Sequence, residues 1–242
     1  MSKSFFIDTT LCTACRGCQV ACKQWHGLPA EHTENRGSYQ NPPDLSFDTY
    51  KLVRMSEVEV DGRLKWLFFP DQCRHCIGAP CMETADDETA IYEDPATGAI
   101  VYTANTRKLN AEEIIASCPY DIPRKGPDGT LAKCDMCVDR VRNGLLPACV
   151  KTCPTGAMSF GDSREMLSLA ESRLAEVKKK NPRARILDVD QVSVIYLVAE
   201  DPGLYFKTAS AGVRNRGMTR KAALRKMFRP VGRMARALGE RG

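Results

Sequence analysis

Apolar residues in this chain fall in short runs separated by turn-forming residues, and each run has the length of a strand or a short helix. Residues 50–60, the pair Asp61-Gly62 and residues 63–69 predict a β-hairpin, in which Asp-Gly supplies a turn that requires positive φ. A second hairpin is predicted from residues 90–93 and 99–102, joined by Asp94-Pro95-Ala96-Thr97-Gly98. Residues 110–117 read as a short helix that stops before Cys118-Pro119. Asp162 and Glu165 stand at capping-box spacing ahead of a longer helix running to about Lys180, where Asn181-Pro182 ends it. Both hairpins and this longer helix are expected to be scaffold rather than site.

The most apolar stretches, 66–69 and 192–199, are strand-sized and far short of the ~18 to 20 residues that cross a bilayer. The opening MSKSFFIDTTLC has a three-residue apolar run, where a secretory signal needs roughly 7 to 15. Neither a membrane span nor an export signal of the chain's own is expected. The last thirty-odd residues differ in kind. Ala223, Leu224, Met227, Phe228, Val231, Met234, Ala235 and Leu238 recur at helical spacing among Lys and Arg, with Pro230 as an interruption. A solvated end, docking along an acidic groove of a partner subunit, and attraction to anionic lipid are all compatible with that pattern.

Composition alters this picture in two places. The 242 residues, 43% of them hydrophobic, are ordinary for a globular chain. The net charge of +5 is uneven, since residues 211–242 hold ten Lys/Arg and one acid, leaving 25 basic against 29 acidic residues in the body. An acidic body opposes nucleic acid, so a metal-stabilised module binding DNA or RNA through the tail is a disfavoured alternative. The twelve cysteines are the second departure. They lie in tight groups at 12, 15, 18, 22, at 73, 76, 81, at 118, and at 134, 137, 149, 153. Spacings of two residues suit shared coordination of a metal far better than disulfide bridging.

The run C-T-A-C-R-G-C-Q-V-A-C has the C-x2-C-x2-C-x3-C spacing of bacterial ferredoxins, in which three cysteines hold one [4Fe-4S] cluster and the fourth reaches a second. The segment from Cys134 to Pro154 ends in the matching C-x3-C-P. Exchange of fourth ligands gives Cys12, Cys15 and Cys18 with Cys153 as cluster 1, and Cys134, Cys137 and Cys149 with Cys22 as cluster 2. Cys73, Cys76 and Cys81 then remain with Cys118, which precedes a proline as Cys153 does, as cluster 3. Three groups of four use every thiol, so three [4Fe-4S] clusters are expected. Four-cysteine zinc sites are the competing reading. His75 is taken as a supporting or surface residue rather than a ligand, and Arg16, Lys23, Arg74, Lys133 and Arg140 as cations near enough in sequence to tune a cluster. No nucleophile, general base or nucleotide-binding loop stands beside the cysteines, so no catalytic residue is expected in this chain.

The stretches CTACRGCQVACKQWH, WLFFPDQCRHC, CPYDIPRK and KCDMCVDRVRNGLLPACVKTCPTGAMSFG resemble the iron-sulfur (beta) subunit of molybdenum- or tungsten-dependent formate dehydrogenases, over about residues 4–205. The wider group is the electron-transfer subunits of molybdopterin oxidoreductases. The resemblance implies an α+β fold of two interleaved bacterial-type ferredoxin-like modules with β-hairpin insertions and a C-terminal helical or extended tail. Residues 1–45 plus 130–165 would form the first module with two clusters, 46–129 the second with one cluster kept and one lost, 166–210 a helix and strand packing on the core, and 211–242 the basic tail. It further implies electrons arriving from a formate-oxidising molybdopterin alpha subunit, the same relay in a polysulfide, thiosulfate or nitrate reductase being the alternative. Many members of the wider group carry one cluster more. Here Ala85 stands where one of its ligands would be, and residues 109–117 hold none of the others. With the basic tail in place of a membrane helix, a c-type cytochrome is the expected acceptor. Co-export with a partner bearing a twin-arginine signal would place the chain in the periplasm, the cytoplasm being the alternative.

Overall fold

The computed structural model describes residues 2–211. In chain order the strands are β1 (Lys3–Asp8), β2 (Leu52–Val60), β3 (Arg63–Asp71), β4 (Ile91–Glu93), β5 (Ile100–Tyr102), β6 (Arg124–Lys125), β7 (Leu131–Ala132), β8 (Met158–Asp162), β9 (Arg185–Leu187) and β10 (Val194–Val198). The α-helices are α1 (Gly17–His26), α2 (Pro80–Ala85), α3 (Ala111–Ser117), α4 (Val138–Arg142), α5 (Ala148–Lys151), α6 (Ser163–Lys178) and α7 (Pro202–Tyr205). The α+β character expected from the sequence is present. The tail residues singled out above lie outside the described residues.

Both hairpins form. In the first, Val60 pairs with Arg63, and the turn residues Asp61 and Gly62 have φ of 53° and 72°, as a two-residue hairpin turn requires. Its strands begin at Leu52 and extend to Asp71, two residues later at each end than the hydrophobic pattern suggests. The predicted short helix is α3, where the Asn110 side chain accepts from the backbone N–H of Glu112 and Glu113. The capping box does not form. Asp162 occupies the N-cap position of α6 without a side-chain cap bond, because its carboxylate pairs with Lys3 Nζ at 2.9 Å.

The architectural centre is a four-stranded sheet in the order β8-β1-β10-β9, in which β1 and β10 are parallel and the outer pairs antiparallel. Side chains alternate across it as a pleated strand dictates. Phe6, Ile195 and Leu197 pack with Ala170 and Val177 of α6 on one face. Phe5, Ile7, Val194, Tyr196 and Val198 on the other face pack with Cys18, Met136, Cys149 and Phe69. The sheet is thus a wall with a helix behind it and the cysteine-bearing loops in front. Arg173 of α6 pairs with Asp8 at 2.9 Å, and Asp8 also accepts from Thr10 N–H at 3.0 Å, which fixes the start of the first cysteine loop.

Candidate iron-sulfur site

All twelve thiols are free, and the fold gathers them into three neighbourhoods. Cys12 lies beside Cys15 and Cys153, and Cys18 beside Cys12 and Cys153. Cys22 lies near Cys134, Cys137 and Cys149. Cys73, Cys76, Cys81 and Cys118 line a single pocket. Helix α1 carries Cys18 and Cys22 one turn apart, so one short element serves the first two neighbourhoods. The neighbourhoods meet at two junctions, Cys18 with Cys149 and Cys73 with Cys134. Cys15 is exposed, whereas Cys22, Cys134, Cys137 and Cys149 are all buried.

The local backbone explains how short loops turn several thiols inward. Ala14, Arg16, His75 and Met136 adopt positive φ between successive cysteines, as does Cys137 itself, a conformation that costs free energy for non-glycine residues and is held only by surrounding structure. The curl aims amides at sulfur: His75 N–H points at Cys73 Sγ (3.4 Å) and Met136 N–H at Cys134 Sγ (3.5 Å). Tertiary bonds secure the second loop. Arg74 and His75 carbonyls accept from Ser193 N–H at 3.1 Å, and Ile77 N–H donates to Gln191 O at 2.9 Å.

Burial dominates the electrostatics of the protein without metal. It pushes the Cys18 and Cys118 thiols up to about 12 and Cys149 to about 11, so a metal must displace a proton from each thiol it takes. Against that cost the fold supplies positive charge. Lys51, Arg74 and Lys133 are all buried near the thiols. Arg74 pairs with Asp71 at 3.0 Å and lies within about 5 Å of the Phe69, Tyr120 and Tyr196 rings. His26 is buried enough to disfavour its charge, yet Asp135 at 3.0 Å and the Cys22 sulfur hold its proton and raise it to about 11. Its ring, Asp135 and Cys137 offer ligand atoms within 4.8 Å of one another.

Of the cations anticipated from sequence, Arg74, Lys133 and Arg140 are buried, Lys23 donates to Pro29 and Asp48 carbonyls, and Arg16 is exposed. His75 is not at the surface: it is buried, and its Nδ1 accepts from Ile100 N–H at 3.0 Å. The second hairpin is not mere scaffold, since Ile100 lines the four-cysteine pocket and the Tyr102 hydroxyl lies beside Cys81. Lys51, Gln72 and Tyr102 carry no sequence signal at all, being distinguished only by where the fold puts them.

The donor inventory fits an anionic metal-sulfur group. Gln72 Nε2, Arg74 Nη2 and His75 Nε2 are buried with no partner, the Tyr102 hydroxyl is buried with only the Cys81 sulfur beside it, and each can donate once His75 Nδ1 is taken as the acceptor. Buried polar atoms are ordinarily satisfied, and sulfide or thiolate acceptors at this site would satisfy donors of this kind. The apolar cluster of Ala90, Ile91, Ile114 and Leu131, with Met82, Ala85 and Ile115 against it, fills the space next to Cys76 and Cys81. Ala85, itself partly buried, therefore packs against hydrocarbon rather than beside a vacant ligand set.

Residues 64–163 match the model of a 4Fe-4S dicluster domain. The chain is 60% identical to formate dehydrogenase subunit beta of Megalodesulfovibrio gigas over 215 residues, covering 87% of this chain and all of that one. It is 52% identical to formate dehydrogenase 2 subunit beta (cytochrome c-553) of Nitratidesulfovibrio vulgaris over 86% of this chain and 99% of that one. The formate dehydrogenase-O iron-sulfur subunit of Escherichia coli is 41% identical over 82% of this chain and 68% of its own length. On the strength of these relatives and of the 4Fe-4S domain that holds Cys73 to Cys153, the chain belongs to the iron-sulfur (beta) subunits of formate dehydrogenases, with their electron-transfer role.

Proposed function

We propose that the chain carries three [4Fe-4S] clusters and relays electrons from a molybdopterin (Mo or W) formate-oxidising alpha subunit to an external acceptor. The observation that carries this reading is the gathering of twelve thiols into three sets of four, each made of three cysteines close in sequence and one remote. Cys12, Cys15, Cys18 and Cys153 hold cluster 1; Cys22, Cys134, Cys137 and Cys149 hold cluster 2; Cys73, Cys76, Cys81 and Cys118 hold cluster 3. Bound clusters supply one-electron carriers whose potentials follow charge, hydrogen bonding and exposure. The chain's own contribution is to bind, order and insulate them.

The junctions between neighbourhoods imply a linear order, 1 to 2 to 3, since Cys18 meets Cys149 and Cys134 meets Cys73. Exposed Cys15 makes the first set an end of the row open to a partner. The interleaving of residues 1–45 and 130–165 into one ferredoxin-like module around clusters 1 and 2, with 46–129 as the second, follows from the same ligand exchange. The acceptor is a c-type cytochrome, which the name of the Nitratidesulfovibrio relative favours, and co-export with the alpha subunit to the periplasm fits such an acceptor. No helix among the described residues is long and apolar enough to cross a membrane.

The test is metal analysis and EPR of the anaerobically purified alpha-beta complex. About twelve iron atoms and matching acid-labile sulfide are expected from this chain, with three centres reduced by formate. Zinc in the same positions, or about eight iron atoms, would sink the proposal.

A further inference from the structure

Five lysines and arginines are buried among the described residues, and their partners divide them. Arg54 pairs with Asp71 at 2.7 Å and Asp44 at 2.6 Å, and Arg74 pairs with Asp71. Arg140 lies over the Trp25 ring at 4.1 Å and donates to Leu146 O at 2.7 Å. Lys51 and Lys133, at 2% and 5% exposure, have no carboxylate within 4.0 Å among the described residues. Lys51 Nζ donates to Gln72 Oε1; Lys133 Nζ donates to Ile100 O and, at 3.1 Å, to Cys134 O, with the Tyr102 ring 4.6 Å away. An ammonium in such surroundings is sustained only by an anion close at hand.

Where the two lysines stand supplies that anion. Lys51, 2% exposed and bonded to Gln72 next to Cys73 in sequence, is near enough to Cys18 of the first thiol set and to Cys149 and Cys134 of the second to feel the charge of each. Lys133 lines the pocket of Cys73, Cys76, Cys81 and Cys118 while bonded to the carbonyl of Cys134 in the second set. Each therefore occupies one of the two junctions. We propose that Lys51 and Lys133 are shared counter-charges, one at each junction of the relay, and that each raises the reduction potential of both clusters it separates. The inference rests on the three-cluster reading above. A reduced cluster is more negative than an oxidised one, so a fixed positive charge in a dry setting favours the electron. Because the charge is shared, it lifts both sides of a junction together and keeps the step between them small.

The experiment is a reductive EPR titration of the alpha-beta complex carrying Lys51→Gln, Lys133→Gln, Lys51→Arg or Lys133→Arg, with iron measured in each. The third cluster's signal is identified by its loss in Cys118→Ala. Lys51→Gln should lower the midpoints of clusters 1 and 2, and Lys133→Gln those of clusters 2 and 3. Each shift should change the reduction equilibrium about tenfold or more, which is about 59 mV for one electron. The Arg variants should stay within about threefold of the parent, an expectation set by retained charge. Unchanged midpoints with full iron, equal shifts of all three clusters, or Arg variants behaving like Gln would each overturn the proposal. So would loss of a cluster from the Gln variants, which would make the lysines assembly residues. Failure of the three-cluster reading would be seen separately, in the iron count of the unaltered complex.

Discussion

Removing Cys118 should do more than delete a ligand. In Cys118→Ala the pocket keeps three thiols and loses the one supplied from beyond α3, and iron should fall from about twelve to about eight atoms per chain. Lys133 then remains 5% exposed with carbonyl and ring contacts but, among the described residues, no carboxylate within 4.0 Å. Leaving a buried charge wholly without its partner costs roughly 3 to 5 kcal/mol, and Lys133, which keeps the second set beside it through Cys134, should bear about half of that. There is an upper bound on that cost, because a lysine can shed its proton: from an ordinary value of about 10.4, deprotonation at pH 7 costs about 3.4 units, or ~4.6 kcal/mol. Cys118→Ala/Lys133→Met should therefore be more stable than Cys118→Ala alone by ~1.5 to 2.5 kcal/mol, although it carries one more substitution. At about 2 to 4 °C per kcal/mol for a chain of this size, the recovery is roughly 3 to 10 °C in apparent Tm. Anaerobic thermal denaturation of the complex, with iron analysis of each variant, reads both effects, and the double-mutant cycle separates the lysine from the lost cluster. Iron unchanged in Cys118→Ala would refute the ligand set. Iron lowered without recovery in the double variant would refute the role given to Lys133.

Ala85→Cys should leave the iron content unchanged, because Ala85 packs against the apolar cluster that includes Ile114, with no further thiol in residues 109–117; a gain of about four iron atoms would show a latent site. Tyr102→Phe removes a buried hydroxyl that has no oxygen or nitrogen partner and lies beside Cys81. Donors to cluster sulfur raise the potential, so the midpoint of the third cluster should move negative in an EPR titration while the other two hold. Gly126→Ala would bring a Cβ to 2.7 Å from the Phe47 ring, and overpacking of that kind costs ~1 to 3 kcal/mol, read as a lower denaturation midpoint with cluster spectra intact.

Short-range signals in the sequence were the ones that could be read. Asp61-Gly62 determines its hairpin through backbone conformation alone, and Asn110 caps α3 through amides two and three residues away. Cysteine spacing works the same way, since a loop's reach is a local property. What escaped was tertiary. Strand β1 is six residues long and acquires its identity from β10, nearly the whole chain away. Asp162 had a helix to cap, but Lys3 competed for its carboxylate. Lys51 lies 21 residues before Gln72, its hydrogen-bond acceptor, and nothing in its own neighbourhood of the chain distinguishes it from a solvated lysine. His75, adjacent in sequence to a presumed ligand, could be placed near the site, but only the fold shows that its ring is buried against the backbone of β5.

The place of β1 in the middle of its sheet imposes a schedule on biogenesis. The strand leads directly into the first cysteine loop, yet one flank is covered by residues 158–162 and the other by residues 194–198. All twelve cysteines are synthesised by residue 153, before residues 194–198 of the second flank. Pairings so remote are slow to form because a long loop must close first. The nascent chain therefore passes through a stage in which every thiol is present while the wall behind them is unfinished, and it is at this stage that the cysteine loops are most open to loading. Completion of the sheet by β10 then closes the interior over whatever the loops have received.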